Sequence, residues 1–491
     1  MMDKKIAGFI ENGCNRAEAA AAGVYPDSVF EVESGIIFMA DCGSSDRVVA
    51  VDLPDFVGEQ AAVNGRRVVL APLDHATAEV VRRYLPFTKP SPVLKNRRTI
   101  GLGDRLGIAT DGHIRALAAY DAVPVFSQQS IRELTLTGRS FTDVIDCASF
   151  AVLRNGYTKP FGADGDHLKT PAEVQMAIDC GCTMITLDCS EFIRGEAAEK
   201  SEETLRAELK LPEGLEERYV GKSFRVEEHE ICYSALDLLR CQAIYGEAIS
   251  FAAEIYHRFI EGGEMDFELS IDETASPTSP AQHYFISNEL ALLGVKTDTV
   301  APRFCGEFQK GIDYIGDVAQ YEAEFAVHAA IARKFGYKIS IHSGSDKFSV
   351  FPVSGRLSEG VFHVKTAGTN WLEAMRVVAR CDASLYREVH AFALESFSEA
   401  TKYYHVTTDL DKIPALESLA DSELEGLFEL NDARQLIHIT YGLILSAKDE
   451  KGKSLFCDRL FALWRSQREQ YALNLERHIG KHLQLLYSEI G

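Results

Sequence analysis

Residues able to do chemistry in this chain fall at the ends of short apolar segments. The stretch Gly162-Ala163-Asp164-Gly165-Asp166-His167-Leu168-Lys169-Thr170-Pro171 places carboxylates beside an imidazole on a glycine-loosened backbone. Phe267 to Glu273 supplies Glu268, Asp272 and Glu273. Ala301 to Gly311 supplies Arg303, Glu307 and Gln309. His342-Ser343-Gly344-Ser345-Asp346-Lys347 joins an imidazole to small residues and a lysine, and His363 to Thr369 adds His363 and Lys365. Imidazoles with oxygen donors and no clustered thiolate suit a divalent cation such as Zn, Mn, Fe, Co or Ni better than Ca²⁺. An aspartate beside a histidine offers a metal ligand and a nearby base; the competing reading is an Asx-type turn with a solvated ring. An arginine with lysines points to an anionic substrate, although a solvated rim is the commoner fate of any one such cation. No phosphate-cradling glycine loop is evident, which favours a carboxylate over a phosphate.

The elements that must position these groups follow a regular rhythm. Eight short apolar segments (Thr99–Leu102, Val123–Ser127, Gly162–Asp166, Met184–Asp188, Phe267–Asp272, Thr299–Arg303, Lys338–His342 and Phe362–Thr366) alternate with helical stretches. That alternation predicts a parallel sheet, and eight units predict a closed (β/α)8 TIM-type barrel. Successive strand side chains alternate between faces. Glu268, Ser270 and Asp272 therefore share the face opposite Phe267, Leu269 and Ile271. Lys338, Ser340 and His342 likewise oppose Ile339 and Ile341. One apolar and one polar face suit a barrel with a reactive mouth better than an open sheet buried on both sides. The polar residues then either fill interior layers or, at the last strand positions, line the mouth.

Around the barrel (96–410) the sequence predicts a small N-terminal α/β lobe (1–95), with a hairpin turning at Gly43–Asp46 and a proline-rich linker at Pro86, Pro90 and Pro92. A helical insertion (191–245) and a C-terminal helical extension (411–491), packed on the barrel exterior, complete the plan. A capping box at Ser422–Glu425 marks a helix start. Gly101-Leu102-Gly103-Asp104-Arg105-Leu106-Gly107 resembles a dinucleotide fingerprint but has the wrong spacing and no acidic residue closing a following strand, so a tight turn is the better reading. His75, His113, His257 and His283 fall outside the strand ends; His390 and His405 stay open, since Tyr403–Thr407, which contains His405, has the look of a ninth extended segment near the mouth.

Composition narrows the partners. The chain has 491 residues, with 51 Lys and Arg against 73 Asp and Glu, a net charge of −22. Such a field repels a phosphate backbone or an anionic membrane, so neither nucleic acid nor membrane is expected. No apolar run is long enough to span a bilayer, and charges interrupt the N-terminal stretch, which does not read as a signal peptide. An odd count of 11 cysteines without a second pair at zinc-ribbon spacing reads as free thiols in a reducing cytoplasm. Nothing sets an oligomeric state.

With these segments in view, the sequence resembles the tagaturonate epimerase family over Gly162–Thr170, Phe267–Pro280, Pro302–Asp317, Ser340–Phe351 and Val364–Glu373. The resemblance implies a metal-dependent barrel that interconverts D-tagaturonate and D-fructuronate in hexuronate breakdown. It implies that Asp166 is the proton acceptor and Glu268 the proton donor, and that His167 and His342 bind the metal. Gln309 is taken as the third ligand, with Glu307 the chemically more usual alternative. Arg303, Lys347 and Lys365 are the cations expected to bind the sugar acid.

The two sugar acids differ at a hydroxyl carbon β to the ketone, whose C–H the carbonyl does not acidify. Retro-aldol cleavage and re-addition is the better-driven route. It needs a Lewis-acid metal, two opposed carboxylates and a cationic clamp. A class II-type aldolase or a metal-dependent ketose isomerase would use the same constellation. A non-catalytic sugar-binding protein would not repay the burial of so many ionisable groups.

Overall fold

The computed structural model describes residues 3–274 and 276–490. Met1 and Met2 of the N-terminal stretch, Ala275 within the 267–280 match, and Gly491 lie outside the described residues.

All eight expected segments are parallel strands of one closed barrel: β1 (Arg98–Leu102), β2 (Val123–Ser130), β3 (Gly162–Leu168), β4 (Met184–Asp188), β5 (Asp266–Ile271), β6 (Thr299–Pro302), β7 (Lys338–Ile341) and β8 (Phe362–Thr366). Each pairs with its sequence neighbours, and β8 closes onto β1 with His363 opposite Thr99 and Lys365 opposite Gly101. The apolar faces of β5 and β7 pack outward on the helices through Phe267, Leu269, Ile339 and Ile341, all in one buried cluster.

The barrel interior is polar. Thr99, Asp164, Thr186, Glu268, Thr299, Ser340, His363 and Lys365 are all buried. Its floor is fixed by Asp266, which accepts from the Val93 and Leu94 backbone amides at 2.5 and 2.8 Å and so ties the linker to β5.

Strand β3 departs from regular pairing. Gly165 pairs with Ile185 but Leu168 with Leu187, so one extra residue is accommodated between them. His167 there has φ 55°, a left-handed conformation that a non-glycine residue adopts at a cost. A bulge breaks strict alternation, so the adjacent Asp166 and His167 both reach the mouth. Thr170 then caps the next helix, Pro171–Asp179, reciprocally with Glu173.

The N-terminal lobe is a five-stranded antiparallel sheet whose central hairpin joins Gly35–Asp41 to Asp46–Val51. The insertion differs from the purely helical expectation. It holds short helices and an antiparallel hairpin, Ser223–Val226 with His229–Cys232, and its amphipathic end, from Ala235, belongs to the crossover helix Ala235–Ile255. In the C-terminal extension a 3₁₀ helix starts at Asp421, and the Glu423 carboxylate accepts from the Ala420 amide; this replaces the Ser422–Glu425 cap. The last helix, Arg468–Tyr487, packs against Thr110–Leu117 and Phe351–Leu357. Helix Asn431–Ile439 reaches the mouth, where His438 lines the inner pocket. Segment 403–407 is not a strand, yet Tyr403, Tyr404 and His405 line the cavity.

Among the described residues no helix is long and apolar enough to cross a membrane. All 11 cysteines are free.

Candidate active site

The mouth holds a cavity of about 290 Å³ lined by Asp272, Arg303, Gln309, Lys310, His342 and Tyr404, among others. It continues into a smaller pocket of about 70 Å³ lined by Arg105, Asp166, His167, Asp272, His342 and Lys365. Arg132 and Lys310 line both.

At the bottom of the pocket one ammonium gathers three carboxylates. Lys365 Nζ lies 2.8 Å from Asp164 Oδ2, 2.7 Å from Asp166 Oδ1 and 2.8 Å from Glu268 Oε1, and it donates to Thr186 Oγ1 at 2.5 Å. Side-chain alternation puts Lys365 and Glu268 on the inner face, and closure of the barrel brings them together. Burial opposes charge on Asp166, but Lys365 and His167 override it and hold that carboxyl well below its usual range. Burial likewise opposes charge on Glu268, and Lys365 and His342 override it. Burial pushes Asp164 up to about 7 against the pull of Lys365.

Both histidines are oriented by carboxylates. His167 Nδ1 donates to Asp166 Oδ1 at 2.8 Å, which leaves its Nε2 free. His342 Nε2 bonds Glu268 Oε1 at 2.7 Å. Its buried Nδ1 has no hydrogen-bond partner among the described residues and lies 3.2 Å from Asp272 Oδ1. The ligating atoms of His167, Asp272 and His342 all fall within 4.8 Å of one another. Two imidazoles, each backed by a carboxylate on the other nitrogen, and a carboxylate oxygen of Asp272, whose Oδ1 also accepts from Ser270 Oγ, form a donor set suited to a divalent transition metal. Burial disfavours charge on His342, yet Asp272 and Glu268 raise its pKa to about 10. The carboxylates thus demand positive charge at this spot, and a bound cation would meet that demand.

The comparisons with known proteins cover nearly the whole molecule. A family model described as tagaturonate epimerase matches residues 25–486. The chain belongs to the tagaturonate epimerase family. Among relatives, it is 43% identical over 422 residues to the tagaturonate/fructuronate epimerase of Thermotoga maritima, covering 84% of this chain and 85% of that one. It is similar to a glycerol-complexed crystal structure of the fructuronate-tagaturonate epimerase from Cohnella laeviribosi, with a TM-score of 0.92 and 49% identity, covering 97% of this chain and 99% of that one. The native crystal structure of the Cohnella enzyme matches with the same TM-score and 48% identity.

Within this member of the epimerase family, Asp166, His167, His342 and Lys365 all line the inner pocket. Glu268 joins them from below. It is fully buried and does not line the pocket, so it reaches the pocket only through His342 and Lys365. Gln309 lines the outer cavity, but its Oε1 accepts from Thr407 N, Thr407 Oγ1 and Gln435 Nε2 at 3.0–3.1 Å; the oxygen beside the histidines comes from Asp272 instead. Glu307 also lines only the outer cavity. Arg303 lines the outer cavity.

Lys347 is not brought to the cavity. Its buried ammonium donates to the Gln309, Ile312 and Ser345 carbonyls at 2.6–2.9 Å and so braces the loop after β7. His363 also stays inside the barrel, its Nδ1 2.8 Å from Thr99 Oγ1.

Arg132, Lys310 and Arg105 were not singled out as substrate-binding residues from the sequence. Ser130 accepts from the Glu133 amide and caps the helix Ile131–Thr137 directly after β2, so Arg132 had to emerge at the mouth; the S-x-x-E spacing carried that signal. Asp104 accepts from the Leu106, Gly107 and Ala109 amides at 2.7–3.0 Å. The glycine-rich turn therefore presents Arg105 to the pocket, where it pairs with Glu133 and stacks 4.4 Å over Tyr441.

Proposed function

We propose that this chain is a metal-dependent epimerase that interconverts D-tagaturonate and D-fructuronate in hexuronate breakdown, the activity named for its relatives from Thermotoga maritima and Cohnella laeviribosi. The observation that carries this reading is near-complete coverage of the Cohnella enzyme at 49% identity. The alternative of a class II-type aldolase or ketose isomerase is not favoured by the family match. An acidic chain with 11 free thiols fits a reducing cytoplasm.

His167, His342 and Asp272 would hold a divalent cation, with Asp272, which lies beside both imidazoles, preferred as the third donor over Gln309, which lines only the outer cavity. Such a cation would supply Lewis acidity toward the substrate's oxygens. The reacting proton is the hydroxyl proton β to the ketone, since the adjacent C–H is not acidified. Asp166, ionised and lining the pocket, accepts that proton as the carbon–carbon bond opens. The aldehyde half turns and the bond re-forms on its other face. Lys365 lines the pocket and touches both Asp166 and Glu268. It donates a proton to the new alkoxide and regains one from Asp166, while Glu268 holds the ammonium charged and in place. The donor role expected of Glu268 is thus exerted through Lys365.

The test is an NMR assay of a hexuronate incubation with chelated and metal-reconstituted protein. Full turnover after complete chelation would reject metal dependence; absence of the epimer with every metal tried would reject the activity. Trapping a three-carbon aldehyde under single-turnover conditions supports the cleavage route.

A further inference from the structure

The mouth carries a wall of cations that the reacting groups do not use. Arg105, Arg132 and Lys310 all line the inner pocket, and Lys310 lies in the electrostatic field of both arginines. The carboxylates facing this wall are Glu133 and Glu273. Glu133 is engaged by Arg105, and Glu273 lies 4.0 Å from Lys169. Among the described residues neither of these carboxylates pairs with Arg132 or Lys310, and the pocket's other two, Asp166 and Asp272, are engaged by Lys365 and the histidines. Lys310 Nζ donates to Ser343 Oγ at 3.1 Å, next to the ligand candidate His342, and its other N–H groups are free to turn to the pocket. Arg132 rests with its guanidinium carbon 4.9 Å above the Tyr404 ring and has no hydrogen bond or ion pair among the described residues, so its planar fork is held by stacking while its donors stay open. Arg303 has no side-chain partner among the described residues either, but it lines only the outer cavity.

We propose that Arg132 and Lys310, rather than Arg303 and Lys347, form the subsite for the substrate's carboxylate and set the preference for a sugar acid over a neutral ketose. The inference rests on the epimerase reading above and deepens it. In a six-carbon keto acid with the acid and ketone at opposite ends, opening the bond between the α and β carbons leaves the carboxylate on the aldehyde half. Anchoring that carboxylate holds the aldehyde half in the pocket while its carbonyl turns over, so the clamp serves retention as well as binding. A bidentate arginine–carboxylate pair supplies direction that a lone ammonium lacks.

The experiment compares wild type with Arg132→Gln, Arg132→Lys, Lys310→Met and Arg303→Gln. Each is checked by thermal midpoint and then assayed for KM and kcat on the hexuronate and on the neutral ketohexose that carries a CH2OH in place of the carboxylate. Calorimetric binding of the hexuronate is measured in parallel. For Arg132→Gln and Lys310→Met the expected result is a rise of about tenfold or more in KM and Kd for the acid, the size of a lost charge-assisted hydrogen bond, with little change for the neutral sugar. Partial rescue is expected in Arg132→Lys and a smaller effect in Arg303→Gln. Equal effects on acid and neutral sugar, or a larger effect from Arg303→Gln, would overturn the proposal. A wild type that binds the acid but turns neither substrate over would count against the epimerase reading alone, and the calorimetric comparison would still decide the subsite.

Discussion

The imidazoles of His167 and His342, which belong to different strand ends, lie with ring centroids 4.9 Å apart and planes inclined at 55°. Each is backed by a carboxylate, Asp166 for one and Glu268 for the other. Replacing His342 by Ala is expected to remove bound metal and activity together; metal retained at wild-type occupancy, read by elemental analysis, would reject its ligand role. Asp272→Asn is expected to weaken metal binding more than Gln309→Leu does, and the reverse order would make Gln309 the third ligand.

Lys365 pairs with Asp164, Asp166 and Glu268 from one buried position, 3% exposed. Removing one partner of a buried ionic cluster leaves uncompensated charge, at a cost of about 3–5 kcal/mol. Lys365→Met should lower the thermal midpoint, and it should reduce kcat by about 10²–10⁴, the usual contribution of positioned acid–base groups. Unchanged kcat in the folded variant would remove Lys365 from the proton path.

Gly355, in helix Phe351–Leu357, lies so close to the last helix that an added Cβ would meet the Leu486 carbonyl oxygen at 1.9 Å. The obstacle is backbone and cannot swing away. Gly355→Ala is expected to destabilise the protein by about 1–3 kcal/mol through overpacking, with KM for the sugar acid unchanged. Denaturant unfolding measures the first and steady-state kinetics the second; an unaltered midpoint would show that the two helices separate at little cost.

Burial pushes the His390 imidazole down to about 4, and His328 similarly. Above about pH 6.5, the usual histidine value, both folded and unfolded states hold these rings neutral. As the pH falls from there toward 4, the unfolded chain takes up protons that the folded protein refuses, so their contribution to stability is progressively lost. His390→Gln lacks that titration. The difference in thermal midpoint, wild type minus variant, should therefore shrink between pH 7 and pH 5; a constant difference would mean that His390 is protonated when folded.

Much of this was legible along the chain. The eight barrel strands, their order and the polar face of β5 and β7 follow from alternation, a local property fixed by strand geometry. Asp166, His167, His342 and Lys365 were locatable because each sits at or just past the end of an apolar segment, where a barrel opens. The free-thiol reading and the hairpin of the N-terminal lobe also rest on short-range pattern.

Other features depended on which distant segments meet. Lys347 and Lys365 look alike in sequence, each a lysine shortly after a histidine. Strand parity turns Lys365 inward onto three carboxylates, whereas the tight loop after β7, with Ser343 and Asp346 at positive φ, folds Lys347 onto the Ser345 carbonyl and those of Gln309 and Ile312 after β6. Gln309 was withdrawn by Thr407 and Gln435, contributed from far along the chain, and Arg132 was made a wall of the pocket by Tyr404. The sequence determined the strands and the groups they carry, because side-chain alternation needs only neighbouring residues. Closure of the barrel and the fold-back of the C-terminal segments decided which of those groups face one another, because Coulombic and hydrogen-bond partners are set by distances in space.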